Sequence, residues 1–282
     1  MDEAERVTLA RRHLDAAESW LRRLIRNVLS SAFGPQYFRA QRSDGSNVIN
    51  REIQRHVDAR MSTDRSRFTD EISALDFGHS ISILLNPELW AHFRPALERA
   101  YLNEAHARTF LERLEGHRHR IAHGGTCSAR VLEQCACYSN DLIDSIKAYF
   151  LEVNLGRQFN VPTFTRLVDN MGNERNFTGP EPFVCHIDMR TGAHGHLYVG
   201  DTLIVELEVD ESFDGYSVPW FTFSTPQDRG EGKRIELPIQ VKHVGEQLIL
   251  CLQVVSKEQW HRLEGRYDDR IDLIYRVLPP SS

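Results

Sequence analysis

The periodicity of the apolar residues changes near residue 155, and this change constrains the fold more than any other feature of the chain. Before it, apolar side chains recur every three or four residues, as they do along residues 9–29, which is the spacing of amphipathic helices. After residue 156 they alternate with polar residues, as along 203–209 and 235–241, which is the period of strands. The sequence therefore predicts an α+β two-domain protein, with an all-α helical bundle followed by an antiparallel β-sandwich of the immunoglobulin-like type.

Cap residues place the boundaries of the predicted helices. Either Asn47 or Asn50 is suited to cap a second helix. A third helix is expected over residues 72–85, Pro87 is suited to the first position of a fourth, and Asn103 to the cap of a fifth. We accordingly expect three segments: a helical domain over 1–155, a linker over 156–182, and a β-sandwich domain over 183–282.

The two halves also differ in charge. Residues 1–157 hold 22 basic against 21 acidic side chains, and residues 158–282 hold 12 against 19. Neither half is basic enough to bind nucleic acid through its overall charge. A polyanion would therefore have to bind at a local site.

Composition and targeting signals indicate a soluble protein. Uncharged apolar runs are far shorter than the roughly 18 residues of a membrane span, and the first six residues lack the basic-then-apolar pattern of a secretory signal. Five cysteines are few for a disulfide framework in a chain of 282 residues. We expect a cytoplasmic protein that does not associate with membranes.

The densest cluster of ionisable side chains lies in residues 116–125, a segment whose last two residues, Gly124-Gly125, end the fifth predicted helix. Histidine and arginine are seldom chosen for protein cores, so packing alone does not explain the cluster. The simplest interpretation is a solvated helix end whose cations favour the C-terminal dipole. The five side chains are His117, Arg118, His119, Arg120 and His123.

A metal site is a second interpretation of the same cluster. His119 and His123 are four residues apart, a helical ligand spacing, and Cys127, Cys135 or Cys137 could complete the site. However, the cysteines form no Cys-x2-Cys pair, and residues two apart on a helix do not face each other. We therefore expect no metal and no cofactor.

Acid–base chemistry on a phosphodiester is the third interpretation. Histidine titrates near neutral pH, so it can take a proton from a ribose 2′-OH or give one to the leaving 5′ oxygen. An arginine fork can hold the phosphate and offset the charge that grows on it. This chemistry cleaves RNA without a metal and leaves DNA intact.

The segment Arg118-His119-Arg120-Ile121-Ala122-His123 resembles the Arg-x4-His motif of the HEPN superfamily (higher eukaryotes and prokaryotes nucleotide-binding). The motif lies near the end of a late helix in an all-α domain of about 150 residues, as in that family. Residues 75–93, which begin Leu-Asp-Phe-Gly-His, are similar to the middle of HEPN domains from bacterial toxin and defence proteins. The likeness covers roughly residues 10–152.

This resemblance implies a metal-independent endoribonuclease that acts as a homodimer, with two motif segments facing each other in one cleft. It makes His123 the acid–base residue, Arg118 the phosphate-binding residue, and His119 a positioning or assisting residue. His117 and Arg120 would contact RNA. Some relatives add an acidic residue from an earlier helix, for which Asp76 is the candidate here.

By the same analogy the chain is expected to be a toxin or antiphage defence effector, whose β domain senses a phage or host protein. The main alternative is a non-catalytic HEPN-like scaffold that binds a protein partner or RNA. A second alternative, regulation by adenylylation, requires a tyrosine close to the motif, and the nearest one that follows it is Tyr138.

Other candidates have simpler structural explanations. The arginine run Arg22, Arg23 and Arg26 is expected to be a solvated helix face, although it could line an RNA groove. His194-x-His196 is a weak metal motif, and Asp268-Asp269 is expected to be a polar turn before a strand.

Overall fold

The computed structural model describes residues 1–64, 67–68, 70–156, 161–177, 185–191, 196–257 and 266–280. The chain divides into two compact units, Met1–Asn160 and Val161–Ser282. None of the helices in the described part of the chain combines the length and the apolar character needed to cross a membrane. The α+β organisation predicted from the periodicity is confirmed, with helices in the first unit and strands in the second.

The described part of the first unit contains six α-helices. Trp20, Phe93 and Phe150 are fully buried in its core, and the rings of Trp20 and Phe150 lie 6.2 Å apart where α1 packs along α6. The helices are α1 (Glu3–Phe33), α2 (Arg51–Thr63), α3 (Phe77–Leu84), α4 (Pro87–Leu97), α5 (Glu104–Ala122) and α6 (Ala129–Glu152).

Three helices, α2, α4 and α5, begin where the sequence predicts, and α6 begins after a further cap residue, Ser128. The side chains of Asn50, Asn103 and Ser128 each accept a hydrogen bond from a backbone N–H in the first turn of the helix that follows. Pro87 occupies the first turn of α4, where a missing N–H costs nothing. The third helix is shorter than predicted, because Asp76 caps it and residues 71–74 form turns.

The arginine run of α1 is not the solvated face that we expected. Arg22 donates to the backbone oxygen of Leu75, and Arg23 is fully buried with its guanidinium over the Trp20 ring. Arg26 pairs with Asp70. The first two of these cations contribute to packing, so the run forms no exposed RNA-binding stripe.

The described part of the second unit is built from two sheets. One has the strand order β2-β1-β5-β9, and the other has β3-β11-β10-β7-β8, with β4 paired to β11 and β6 to β10. A single apolar core takes residues from both sheets. The strands are β1 (Phe164–Asp169), β2 (Glu174–Asn176), β3 (Cys185–Asp188), β4 (His196–Tyr198), β5 (Thr202–Val209), β6 (Tyr216–Ser217), β7 (Pro219–Thr222), β8 (Arg229–Glu231), β9 (Arg234–Pro238), β10 (Gly245–Ser256) and β11 (Asp269–Leu278).

Two features of this unit differ from the prediction. The expected linker over 156–182 contains β1 and β2, because β1 pairs antiparallel with β5 and so belongs to the sheet. The sheets are also not wholly antiparallel, since β3 and β4 both run parallel to β11. Asp268 and Asp269 are buried and accept backbone hydrogen bonds from Ser256 and Phe164, which makes them structural.

Candidate active site at the end of the fifth helix

The C-terminal end of α5 is closed by a two-glycine turn. Gly124 has a φ of +74°, a conformation that glycine adopts without strain, and it donates to the oxygen of Ile121. Gly125 donates to the oxygen of Arg120 at 2.8 Å. Together these two bonds form a Schellman motif. The Schellman motif makes His123 the C-cap of α5.

Successive residues of α5 project about 100° apart, so the ionisable side chains of residues 117–123 lie on different faces of the helix. His117 lies on the inner side, where it is only 8% exposed and its Nε2 is 3.0 Å from the Gln134 side chain of α6. Burial lowers the pKa of His117, and the hydrogen bond to Gln134 opposes that shift. Its buried position contradicts the predicted role in contacting RNA.

Arg118 points to α1. Its Nη2 lies 3.0 Å from Asp15 Oδ1 and 3.2 Å from Glu18 Oε2. Glu18 is only 10% exposed and also pairs with Arg22, so it bridges two guanidinium groups. The Arg118 side chain itself is 28% exposed. The network therefore holds Arg118 in a defined position while part of the side chain remains accessible.

His119 and His123 lie next to each other on the outer surface of α5. Their ring centroids are 4.4 Å apart, with an angle of 57° between the planes. Both residues are exposed, and so is Arg120. The two imidazoles and Arg118 thus lie within a single turn and a half of one helix.

A third group, from α2, α3 and the cap of α3, lies near Glu115 of α5. Asp76 Oδ2 lies 3.0 Å from His79 Nδ1 and 3.5 Å from His56 Nε2. Although burial raises the pKa of Asp76, the hydrogen bonds and charges of the neighbouring histidines outweigh it and hold the pKa at about 2. This group is a cluster of two imidazoles around one carboxylate.

Glu115 connects this cluster to the histidine pair. Burial raises the pKa of Glu115, and so does the negative charge of Asp76, while His79 and His119 lower it. Its Oε1 lies 2.5 Å from the position that a Cβ on Gly78 would occupy. The close approach of Glu115 to α3 therefore depends on a residue without a side chain at position 78.

Comparisons were made with protein-family models, curated proteins and solved structures. None of them found a match.

The cysteine-containing metal site does not form among the described residues. Cys127 is buried and its thiol contacts the backbone oxygen of Arg6, while burial raises the pKa of Cys135 to about 12. Within the described ranges, one group of three potential ligands has all its ligand atoms within 4.8 Å of one another, and it consists of His56, Asp76 and His79. His196 of the weak His-x-His motif is exposed in β4, and its companion His194 lies outside the described residues.

Sequence reasoning missed three members of this surface. Asp15 and Glu18 are ordinary helical acids in the sequence, and His56 belongs to no motif. Their proximity to Arg118 or Asp76 arises only when α1, α2, α3 and α5 pack together. The one local signal was Asp76 itself, which was a candidate for the added acidic residue.

Proposed function

We propose that the helical unit is a metal-independent endoribonuclease of the HEPN type and that the end of α5 is its active site. The observation that carries this proposal is the exposed His119–His123 pair, with 4.4 Å between ring centroids, on the same helix end as a positioned arginine. Two adjacent imidazoles can supply both the base and the acid that a transesterification needs.

In the proposed reaction His123 accepts the proton of the ribose 2′-OH while the 2′ oxygen attacks the phosphorus. The bond from phosphorus to the 5′ oxygen breaks, and that oxygen takes a proton from the protonated imidazole of His119. The products are a 2′,3′-cyclic phosphate and a 5′-OH. Because the attacking group is the 2′-OH, DNA and 2′-O-methyl RNA are not substrates.

Arg118 is proposed to bind the scissile phosphate. Both of its carboxylate contacts fall on Nη2, whereas a guanidinium carries five N–H donors in a fork that matches phosphate geometry. Asp15 and Glu18 would hold the fork in place, and the remaining donors would meet the phosphate. Arg120, which is exposed on the same helix end, is proposed to contact RNA.

The decisive test combines chelator with substitutions on the purified full-length protein. We expect RNA cleavage in excess EDTA, with a cyclic phosphate product, and a loss of roughly 10²–10⁴-fold in His123→Ala and of roughly 10²–10³-fold in Arg118→Ala. Arg118→Lys keeps the charge but loses the fork, so its activity should also fall. Unchanged cleavage in these variants, or cleavage that EDTA abolishes, would contradict the proposal.

Matched controls come from α4. His92→Ala and Arg94→Ala remove an exposed histidine and an exposed arginine from another helix of the same unit. Both variants should cleave RNA at the wild-type rate. Far-UV circular dichroism of every variant separates a loss of chemistry from a loss of fold.

The homodimer is part of the proposal, and mixing tests it. If two chains share a cleft, mixed dimers of Arg118→Ala and His123→Ala regain activity, because one composite site has both residues intact. A mixture as inactive as its components would place both residues of each site on the same chain.

A non-catalytic scaffold is the second candidate, and one observation favours it. The two carboxylates on Arg118 offset its positive charge and compete with a phosphate for its donors. Under this alternative the network of α1 and α5 is structural, and RNA is neither cleaved nor bound at Arg118. Failure of every cleavage assay with intact RNA binding or partner binding would support it.

For the second unit we propose an immunoglobulin-like sandwich that senses a phage or host protein and restrains the nuclease. The two sheets with one shared core support the sandwich, and the acidic composition of this half supports binding of a basic surface. Deleting the unit should raise RNA cleavage by residues 1–160. Lower or equal activity of the folded fragment would contradict the restraint.

A further inference from the structure

The cluster of His56, Asp76 and His79 has a donor set and a geometry that the nuclease chemistry does not use. It combines two imidazole nitrogens with one carboxylate oxygen, and the three ligand atoms lie within 4.8 Å of one another. Two of the side chains come from α3 and its cap, and His56 comes from α2. The cluster therefore joins two segments that are 20 residues apart at their nearest members.

We propose that His56 Nε2, Asp76 Oδ2 and His79 Nδ1 form a binding site for Zn²⁺ or a similar late first-row divalent ion. Bonds of roughly 2.0–2.1 Å in a tetrahedral site place ligand atoms about 3.3 Å apart. The two distances from Asp76 Oδ2 are 3.0 Å to His79 and 3.5 Å to His56. An ion can thus be accommodated with only small side-chain rotations, and His56 is exposed enough to make them.

The surroundings of the cluster suit a metal better than a simple hydrogen-bonded pair. Asp76 uses its other oxygen, Oδ1, to cap α3 by accepting from the backbone of His79 at 2.8 Å. A ligating carboxylate that is oriented by such a bond is typical of metal sites. His79 Nδ1 is buried and lies 3.0 Å from Asp76 Oδ2, so the two atoms are close enough to share one ion.

The negative charge around the cluster also favours a divalent cation. Asp76 and Glu115 bring two carboxylates to this place, since Glu115 Oε1 and Asp76 Oδ1 lie 2.5 and 3.7 Å from the same point above Gly78. A divalent cation bound by two neutral imidazoles would balance both charges. Imidazole ligands select zinc and its neighbours over Mg²⁺ and Ca²⁺, which prefer oxygen alone.

The proposed metal site shares no ligand with the proposed active site. The acid–base step needs no ion, and metal binding is measured without RNA, so either proposal can fail while the other stands. With three protein ligands, a tetrahedral ion would have its fourth position left for water.

Titration of metal-free full-length protein with Zn²⁺ tests the site, using calorimetry for affinity and the tetrahedral visible absorption of Co²⁺ for geometry. We expect one ion per chain. His56→Ala and His79→Ala should weaken binding at least 100-fold. Asp76→Asn, which retains a good helix cap, should weaken it at least tenfold, and Glu115→Gln should weaken it roughly tenfold through its indirect contact.

The controls locate the ion. His92→Ala on α4 should bind Zn²⁺ as the wild type does, and so should His119→Ala, which removes one member of the neighbouring imidazole pair. Absence of Zn²⁺ binding at micromolar concentration would overturn the proposal. So would unchanged binding in a folded His56→Ala protein, or binding that is lost only in His119→Ala.

Discussion

Glu18 should contribute far more to stability than Asp15, although both contact the same nitrogen of Arg118. The Glu18 side chain is 10% exposed and bridges Arg22 and Arg118, whereas the Asp15 side chain is 46% exposed. Glu18→Gln replaces a shared anion with a neutral amide, so two partly buried guanidiniums lose a charged acceptor. Hydrogen bonds to charged groups contribute about 1.5–3 kcal/mol each, which gives an expected cost of about 3 kcal/mol.

The matched variant Asp15→Asn removes the same charge at an exposed position. Exposed ion pairs contribute about 0–1 kcal/mol, so this variant should cost less than about 1 kcal/mol. Urea unfolding followed by circular dichroism at 222 nm measures both values, because that signal comes mainly from the helical unit. Equal costs for the two variants would refute the argument that burial of Glu18 makes this network important.

The Asp15→Asn variant also tests RNA binding at Arg118. Asp15→Asn removes a carboxylate 3.0 Å from the guanidinium without disturbing the core. The repulsion relieved is about 1 kcal/mol for charges a few ångströms apart in water, so RNA should bind roughly fivefold more tightly at low salt. Unchanged RNA affinity would argue against phosphate binding by Arg118 and would favour the scaffold.

Two further predictions concern the helix end and the second unit. Gly125→Ala should destabilise the helical unit and lower RNA cleavage more than Gly124→Ala, because a Cβ at Gly125 would lie 2.8 Å from the backbone oxygen of Arg120, while Gly124→Ala adds only about 1–2 kcal/mol of left-handed strain. Gly116 lies mid-helix with open space around it, so Gly116→Ala should stabilise the unit by about 0.5–1 kcal/mol. Thermal melts that fail to rank the three variants in this order would contradict the Schellman assignment. Asp228 lies 2.8 Å from the buried His243 and 2.7 Å from Lys242, and these groups outweigh the effect of burial and hold the pKa of Asp228 at about 2. Because this folded-state pKa is below the ordinary value near 3.9, the carboxylate stabilises the fold above pH 4 and loses this effect as the pH falls toward 2. Asp228→Asn should therefore lower the free energy of unfolding by about 2 kcal/mol at pH 7 and by about half of that at pH 3. A difference in urea midpoint between wild type and variant that is independent of pH would disprove the linkage.

Much of the fold could be predicted because its signals are local. The side chains of Asn50, Asn103 and Ser128 reach backbone groups only two or three residues away. The glycines after α5 end the helix through hydrogen bonds to residues three and five positions earlier. Such contacts depend on neighbours in the sequence, so reading the sequence is sufficient to place them.

Less could be predicted where a short element depends on a distant partner. β1 and β2 carry little periodicity of their own, and β1 is stabilised by pairing with β5, some 40 residues further along the chain. Asp76 is a local helix cap, but its second oxygen meets His56 from a different helix. No sequence pattern within either segment predicts its distant partner.

For this protein the sequence alone determined the two-part organisation, most helix boundaries, and the position of the Arg-x4-His motif at a helix end. The tertiary structure decided which side chains of residues 117–123 are accessible. It buried His117 against α6, turned Arg118 toward Glu18, and left His119 and His123 together in solvent. The physical reason is that backbone hydrogen bonds determine a helix and its ends, whereas the packing of the helix against remote segments determines the environment of each of its faces.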